Sequence, residues 1–141
     1  MDVNVIVPRI NDKIFNSCLA PSLHKFKLCC FQIADKPNEP KQTITQKYNI
    51  FVTTMRDNEQ NPINDDSIYV FLHEDVNILD NLFVEKLNMI FNDKPDVGVV
   101  GIVGVEELKN DTKWWLDNEN KSVGHLIAGS DSGQIGNAKH A

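Results

Sequence analysis

Three polar side chains in a row, His73, Glu74 and Asp75, follow the five strand-forming residues Ile68 to Leu72. Carboxylates and an imidazole at that spacing can ligate a hard divalent ion, leaving positions open for a diphosphate. A histidine nitrogen in the set tilts the preference from Mg²⁺ towards Mn²⁺. The same residues have a plainer use, in which Asp75 caps the next helix and His73 hydrogen-bonds to backbone. Spacing leaves both uses open. A second acid, Asp35, closes the apolar run Phe26 to Ile33. No nucleophile elbow, zinc helix or Walker sequence is present. Gly98, Gly101 and Gly104 lie within a strand-like run, where close packing suits them better than a phosphate cradle. Trp114 and Trp115 could stack on a sugar or base, or anchor a poorly packed tail.

The elements that must position these groups alternate. Val3 to Pro8 reads as a first strand stopped by proline. Asn11 or Asp12 can cap a helix carrying Ile14, Phe15, Cys18 and Leu19, which Pro21 would end or kink. Phe26 to Ile33 is a second strand, followed by the turn-rich stretch Ala34 to Pro40. Ile44, Tyr48, Phe51 and Met55 recur at helical spacing and predict a helix over Thr43 to Met55. Arg56 to Asp66 reads as a loop, and Ile68 to Leu72 as the third strand. The stripe Leu79, Leu82, Phe83, Leu87, Ile90 and Phe91 predicts a helix over Leu79 to Asn92. Val97 to Val105 reads as a glycine-punctuated buried strand. This order implies an α/β fold with a mostly parallel sheet and right-handed crossovers. Ligands of such sheets sit beyond the carboxyl ends of the strands, so Asp35 and Asp75 belong near one rim.

With 141 residues the chain is expected to form one domain over 1–128, with a disordered tail over 129–141. The formal net charge of −6 argues against nucleic-acid or anionic-membrane binding. No apolar run reaches the ~20 residues of a membrane span, and the cytoplasm is the expected compartment. Cys18, Cys29 and Cys30 lack metal-like spacing; Cys29 and Cys30 read as small core residues.

The ordered set of motifs resembles glycosyltransferase family 2, in the branch whose strand-end motif is Phe-Leu-His-x-Asp-Val. Gln46-Lys-Tyr-Asn49, Val70-Phe-Leu-His-Glu-Asp-Val76, Val97 to Gly104, Trp114-Trp115 and Val123-Gly-His125 carry the resemblance, which covers roughly residues 44 to 126. It implies a Rossmann-like GT-A core that binds a nucleotide-diphospho-sugar. By that match His73, Glu74 and Asp75 occupy the family's Asp-x-Asp motif. Asp75 would hold a Mn²⁺ or Mg²⁺ ion and His73 would contact ribose or metal. Asp35 would hydrogen-bond the base, Pro8 and Arg9 would line the base pocket, and Asn49 would lie near the nucleotide. Phe51 departs from the glycine usual in the family, and the loop from Arg56 to Asp66 is longer than usual. The chain stops where the acceptor half is expected, and Asp131 is a poor candidate for the base that an inverting transfer needs.

The leading expectation is therefore sugar transfer to an acceptor hydroxyl. A non-catalytic nucleotide-sugar-binding remnant, or a subunit completed by a partner or a second copy, is the first alternative. The second is a receiver-like signalling domain with Asp75 as phosphoacceptor. The donor sugar, the acceptor and the catalytic base are not specified by the sequence.

Overall fold

The computed structural model describes residues 1–58, 63–64, 66–101, 103–105, 122–129 and 135–139. The chain divides into two compact units, Met1–Lys94 and Pro95–Ala141. The first contains β1 (Asp2–Arg9), α1 (Asp12–Ser17), α2 (Leu19–Phe26), β2 (Cys29–Ala34), α3 (Ile44–Arg56), β3 (Ser67–Phe71) and α4 (Phe83–Asp93). The second contains β4 (Val103–Val105), β5 (Ser122–Gly129) and β6 (Ile135–Lys139), an antiparallel sheet in the order β4-β5-β6.

The sheet of the first unit is wholly parallel, in the order β2-β1-β3. Its central strand is the most apolar, as a strand covered on both faces must be. Val5, Ile6 and Val7 are fully buried, each side chain contributing about 1.5–3 kcal/mol of transfer free energy. Alternation divides the strands between two layers. On one face Val5 and Val7 pack with Phe15, Leu19, Leu23, Leu72 and Ile78, and Cys30 and Val70 join their margin. On the other, Phe51 of α3 lies against Phe31, Tyr69 and Phe71. Phe51 is 6% exposed, and its large ring fills the space between α3 and the sheet.

Several boundaries differ from expectation, each for a local reason. Asn11 is the cap of α1, accepting from Lys13 N and Ile14 N at 3.0 and 3.2 Å. The helix breaks at Cys18 rather than Pro21, because Pro21 falls in the first turn of α2, where no amide hydrogen is needed. Phe26 ends α2 instead of starting β2. Lys27 adopts the left-handed conformation (φ 53°), and Leu28 N bonds back to Leu23 O at 3.0 Å, a helix stop that apolar content does not reveal. Cys29, on the edge strand β2, is exposed, and Cys30 is half-buried; neither is a fully buried core residue. Burial pushes the Cys30 thiol up to about 11, with Cys29 beside it adding to the rise and Arg9 opposing it.

The helix expected from Leu79 begins only at Phe83. The Asp80 carboxylate accepts from Leu82 N at 2.9 Å and pairs with Lys86, holding residues 80–82 in a turn. Leu79 and Leu82 are consequently exposed. The run Val97 to Val105 is not one buried strand. Val99 is 89% exposed, a Cβ on Gly98 would meet nothing within 4 Å, and among the described residues of the run only Val103–Val105 pairs, with β5. Close packing therefore does not account for Gly98. β6 is joined to β5 by backbone pairing, which requires no apolar side chains. Trp114, Trp115 and Asp131 lie outside the described residues.

Candidate functional site

β1 and β3 run parallel and adjacent, so the loops leaving their carboxyl ends meet. Between them lies a pocket of about 120 Å³ lined by Pro8, Ile10, Ile14, Ile44, His73, Glu74 and Asp75. Ile44 opens α3, whose start is set by a reciprocal cap: Thr43 Oγ1 accepts from Gln46 N at 3.2 Å, and Gln46 Oε1 accepts from Thr43 N at 2.8 Å. One wall is thus aliphatic. The other carries the imidazole and two carboxylates.

The three consecutive polar residues have different surroundings. Glu74 is engaged with backbone: Ile10 N donates to Oε2 at 2.9 Å, and Asn11 N donates to both carboxylate oxygens at 3.0 Å. Asp75 is exposed, with no hydrogen bond or ion pair to any described residue. His73 is exposed as well; its backbone carbonyl accepts from Val76 N at 3.3 Å, closing a turn. Asp75 does not cap the following helix, since α4 begins eight residues later at Phe83. Among the described residues no three His, Cys, Asp or Glu side chains converge as a ready-made metal cage. Asp75 and His73 could supply one or two ligands, which suits a Mg²⁺-like ion whose remaining positions go to water and substrate phosphate.

The other expected site residues are distributed unevenly. Pro8 lines the pocket. Arg9 does not: its guanidinium donates to Gln32 and to Asp12 Oδ1 (2.7 Å) and stacks 3.8 Å from the Phe15 ring centroid. Asn49 is exposed on α3 and is not part of the pocket wall. Asp35 follows the end of β2, also outside that wall, and faces Lys47 Nζ at 2.9 Å. Lys47 is completely buried, and its contact with Asp35 is an ion pair without hydrogen-bond geometry. Chiefly this ammonium, with Gln42 N–H adding to it, holds the Asp35 carboxyl below its ordinary value despite the opposing effect of partial desolvation.

Residue types alone did not single out Lys47, Tyr48 or Ser22 as parts of the frame. Lys47 stands one turn before Phe51, and that spacing was the available signal for a lysine on the sheet-facing side of α3. Tyr48 Oη donates to Leu72 O at 3.1 Å, fastening α3 to the chain just before His73. Burial raises the Tyr48 phenol above its ordinary value, so it remains a donor. Ser22, 2% exposed, joins α2 to the chain beyond Asp75.

A parallel β2-β1-β3 sheet flanked by helices, with a pocket beyond its carboxyl ends, defines a Rossmann-like α/β domain. A family model described as a glycosyltransferase-like family matches residues 4–139, and the chain belongs to that family. No curated protein and no solved structure matches it. The family match sets the receiver-like alternative aside. Among the described residues no helix is long and apolar enough to cross a membrane.

Proposed function

We propose that the chain binds a nucleotide-diphospho-sugar at the carboxyl ends of β1 and β3 and transfers the sugar to an acceptor hydroxyl. The observation that carries this reading is the division of labour in the acid motif: Glu74 is bound to backbone, while the adjacent Asp75 carboxylate, beside the pocket, has no partner among the described residues. Asp75, with His73, would hold Mn²⁺ or Mg²⁺, and such an ion when bound offsets the charge of a leaving diphosphate. Pro8, Ile10, Ile14 and Ile44 offer an apolar wall to a flat or aliphatic part of the donor. Asp35 and Asn49 are the proposed contacts to base and nucleotide from the neighbouring strand end and helix. The pocket is smaller than the ~300–1,000 Å³ of sites that enclose drug-sized ligands. It therefore takes a portion of the donor.

The alternative of a donor-binding protein that needs another chain to complete the reaction also has a specific observation behind it. Among the described residues, the carboxylates on the pocket wall are Glu74, which is engaged, and Asp75, which is assigned to the ion. No described acid is left there to deprotonate an acceptor. Thermal-shift titration with uridine and guanosine diphospho-sugars, with and without Mn²⁺, tests the donor site. Metal-dependent stabilisation that disappears in Asp75→Ala is the expected result. Unchanged melting curves with both donors in the presence of Mn²⁺ would rule out those donors. Release of free sugar from the donor without acceptor separates an enzyme from a binding protein.

A further inference from the structure

The Asp75 loop is anchored on both sides by residues hydrogen-bonded to other elements. Before it, Leu72 is buried, donates to Ile6 O at 3.0 Å and receives the Tyr48 hydroxyl. Immediately before it, Glu74 ties the loop to the backbone that leaves β1. After it, Ser22 Oγ donates to Asn77 Oδ1 at 2.8 Å and accepts from Ile78 N at 2.9 Å, and Ile78 is buried in the core. Asp75 is thus the exposed middle of a short loop whose neighbours on both sides are bonded to different elements.

From this we infer that Glu74 and Ser22 are positioning residues: they fix the His73–Asp75 loop between α1 and α2, so that the Asp75 carboxylate is presented at the pocket without touching either anchor. The inference rests on the reading of Asp75 as an ion ligand, but its physical content is separate. A free carboxylate on a mobile loop must be ordered when it binds, and ordering lowers affinity. Glu74 removes part of that cost. It also holds Ile10, a pocket residue, through the same carboxylate, so one side chain sets both walls. Groups that hydrogen-bond an ion's ligands are costly to remove; Glu74 acts one step further out, through the backbone of the loop, so its effect should be smaller.

The test uses the full chain as wild type, Glu74→Ala, Glu74→Gln, Ser22→Ala and Asp75→Ala. Amide hydrogen exchange is followed well below the melting temperature, and Mn²⁺ alone is titrated by loss of its free electron-paramagnetic signal. Glu74→Ala should speed exchange at Ile10, Asn11 and residues 73–76 while Val5 to Val7 keep wild-type rates. It should weaken Mn²⁺ binding by up to about 10-fold, the lower end of the range for groups bonded directly to a ligand. Glu74→Gln, which keeps one acceptor oxygen, should recover part of both losses. Ser22→Ala should act in the same direction from the other side of the loop. Wild-type exchange at these amides in both Glu74→Ala and Ser22→Ala would overturn the inference, whatever Mn²⁺ does. So would unchanged Mn²⁺ affinity in those two variants when Asp75→Ala abolishes binding. If wild type and Asp75→Ala bind Mn²⁺ equally, the ion-ligand reading fails, and the exchange arm still decides whether the loop is anchored. If Glu74→Ala fails to fold, Glu74→Gln supplies the same comparison with an intermediate effect, and if Ser22→Ala fails to fold, the two Glu74 variants decide.

Discussion

Adjacent residues in this chain have unlike roles because each meets a different neighbour. Asp35 and Asp75 both follow strands, yet one faces a buried ammonium and the other faces solvent beside a pocket. The Asp35–Lys47 pair makes stability depend on pH. Because the folded carboxyl is held below its ordinary 3.8, the unfolded state binds a proton first as pH falls. Its contribution is therefore fully present above that value and is lost as pH drops through the folded one. Asp35→Asn should destabilise the protein at neutral pH, because Lys47 is then a buried charge without a counter-ion. The gap to wild type should narrow on acidification below about pH 4. Chemical denaturation at a series of pH values measures this; a gap independent of pH would show that the ion pair does not contribute.

At the level of elements, helix caps decide where the site begins. The α3 cap places Ile44 at the pocket and, one turn later, Tyr48 at the strand end. Thr43→Ala removes the acceptor for Gln46 N and should cost about 1 kcal/mol. In urea this should lower the midpoint at unchanged slope. An unchanged midpoint would mean that the cap adds nothing to stability. The apolar periods located most elements of the first unit but misplaced several of their ends. Leu79 and Leu82 carried the spacing of a helix, yet the Asp80 side chain bonds its own turn and delays the helix to Phe83. Phe26 carried the composition of a strand, but its backbone belongs to the last turn of α2. In both cases a local backbone hydrogen bond overrode a hydrophobic pattern.

For the molecule as a whole, the charge of −6 bears on how a diphosphate approaches. A donor carrying negative phosphates meets a repulsive field unless a cation accompanies it. Without divalent metal, added monovalent salt should therefore leave donor affinity unchanged or raise it by screening repulsion. A phosphate site built from lysines and arginines would show the opposite slope. Calorimetric titration of a uridine diphospho-sugar across a salt series, with chelator present, measures the sign. A marked fall in affinity with salt would point to a cationic phosphate site instead of an ion held by Asp75.

Composition and period sufficed for the α/β class, the three strands of the parallel sheet and the strand-end position of His73, Glu74 and Asp75. Those features depend on backbone period and on which runs are apolar enough to be covered, and both are local properties of a chain. The ordered motifs also sufficed for the family. Other features depended on packing between distant segments. These include the binding of Glu74 to Ile10 and Asn11, the burial of Lys47 against Asp35, the removal of Arg9 from the pocket and the pinning of Ile78 by Ser22. The same holds for the glycine run, which resembles a buried strand yet is exposed at Val99 and, among its described residues, pairs only at its end. A residue's type limits which bonds it can form, whereas its partner is set by what the fold brings within about 3 Å. Only the tertiary structure could show that Asp75 alone among the three acids singled out, Asp35, Glu74 and Asp75, has no partner among the described residues.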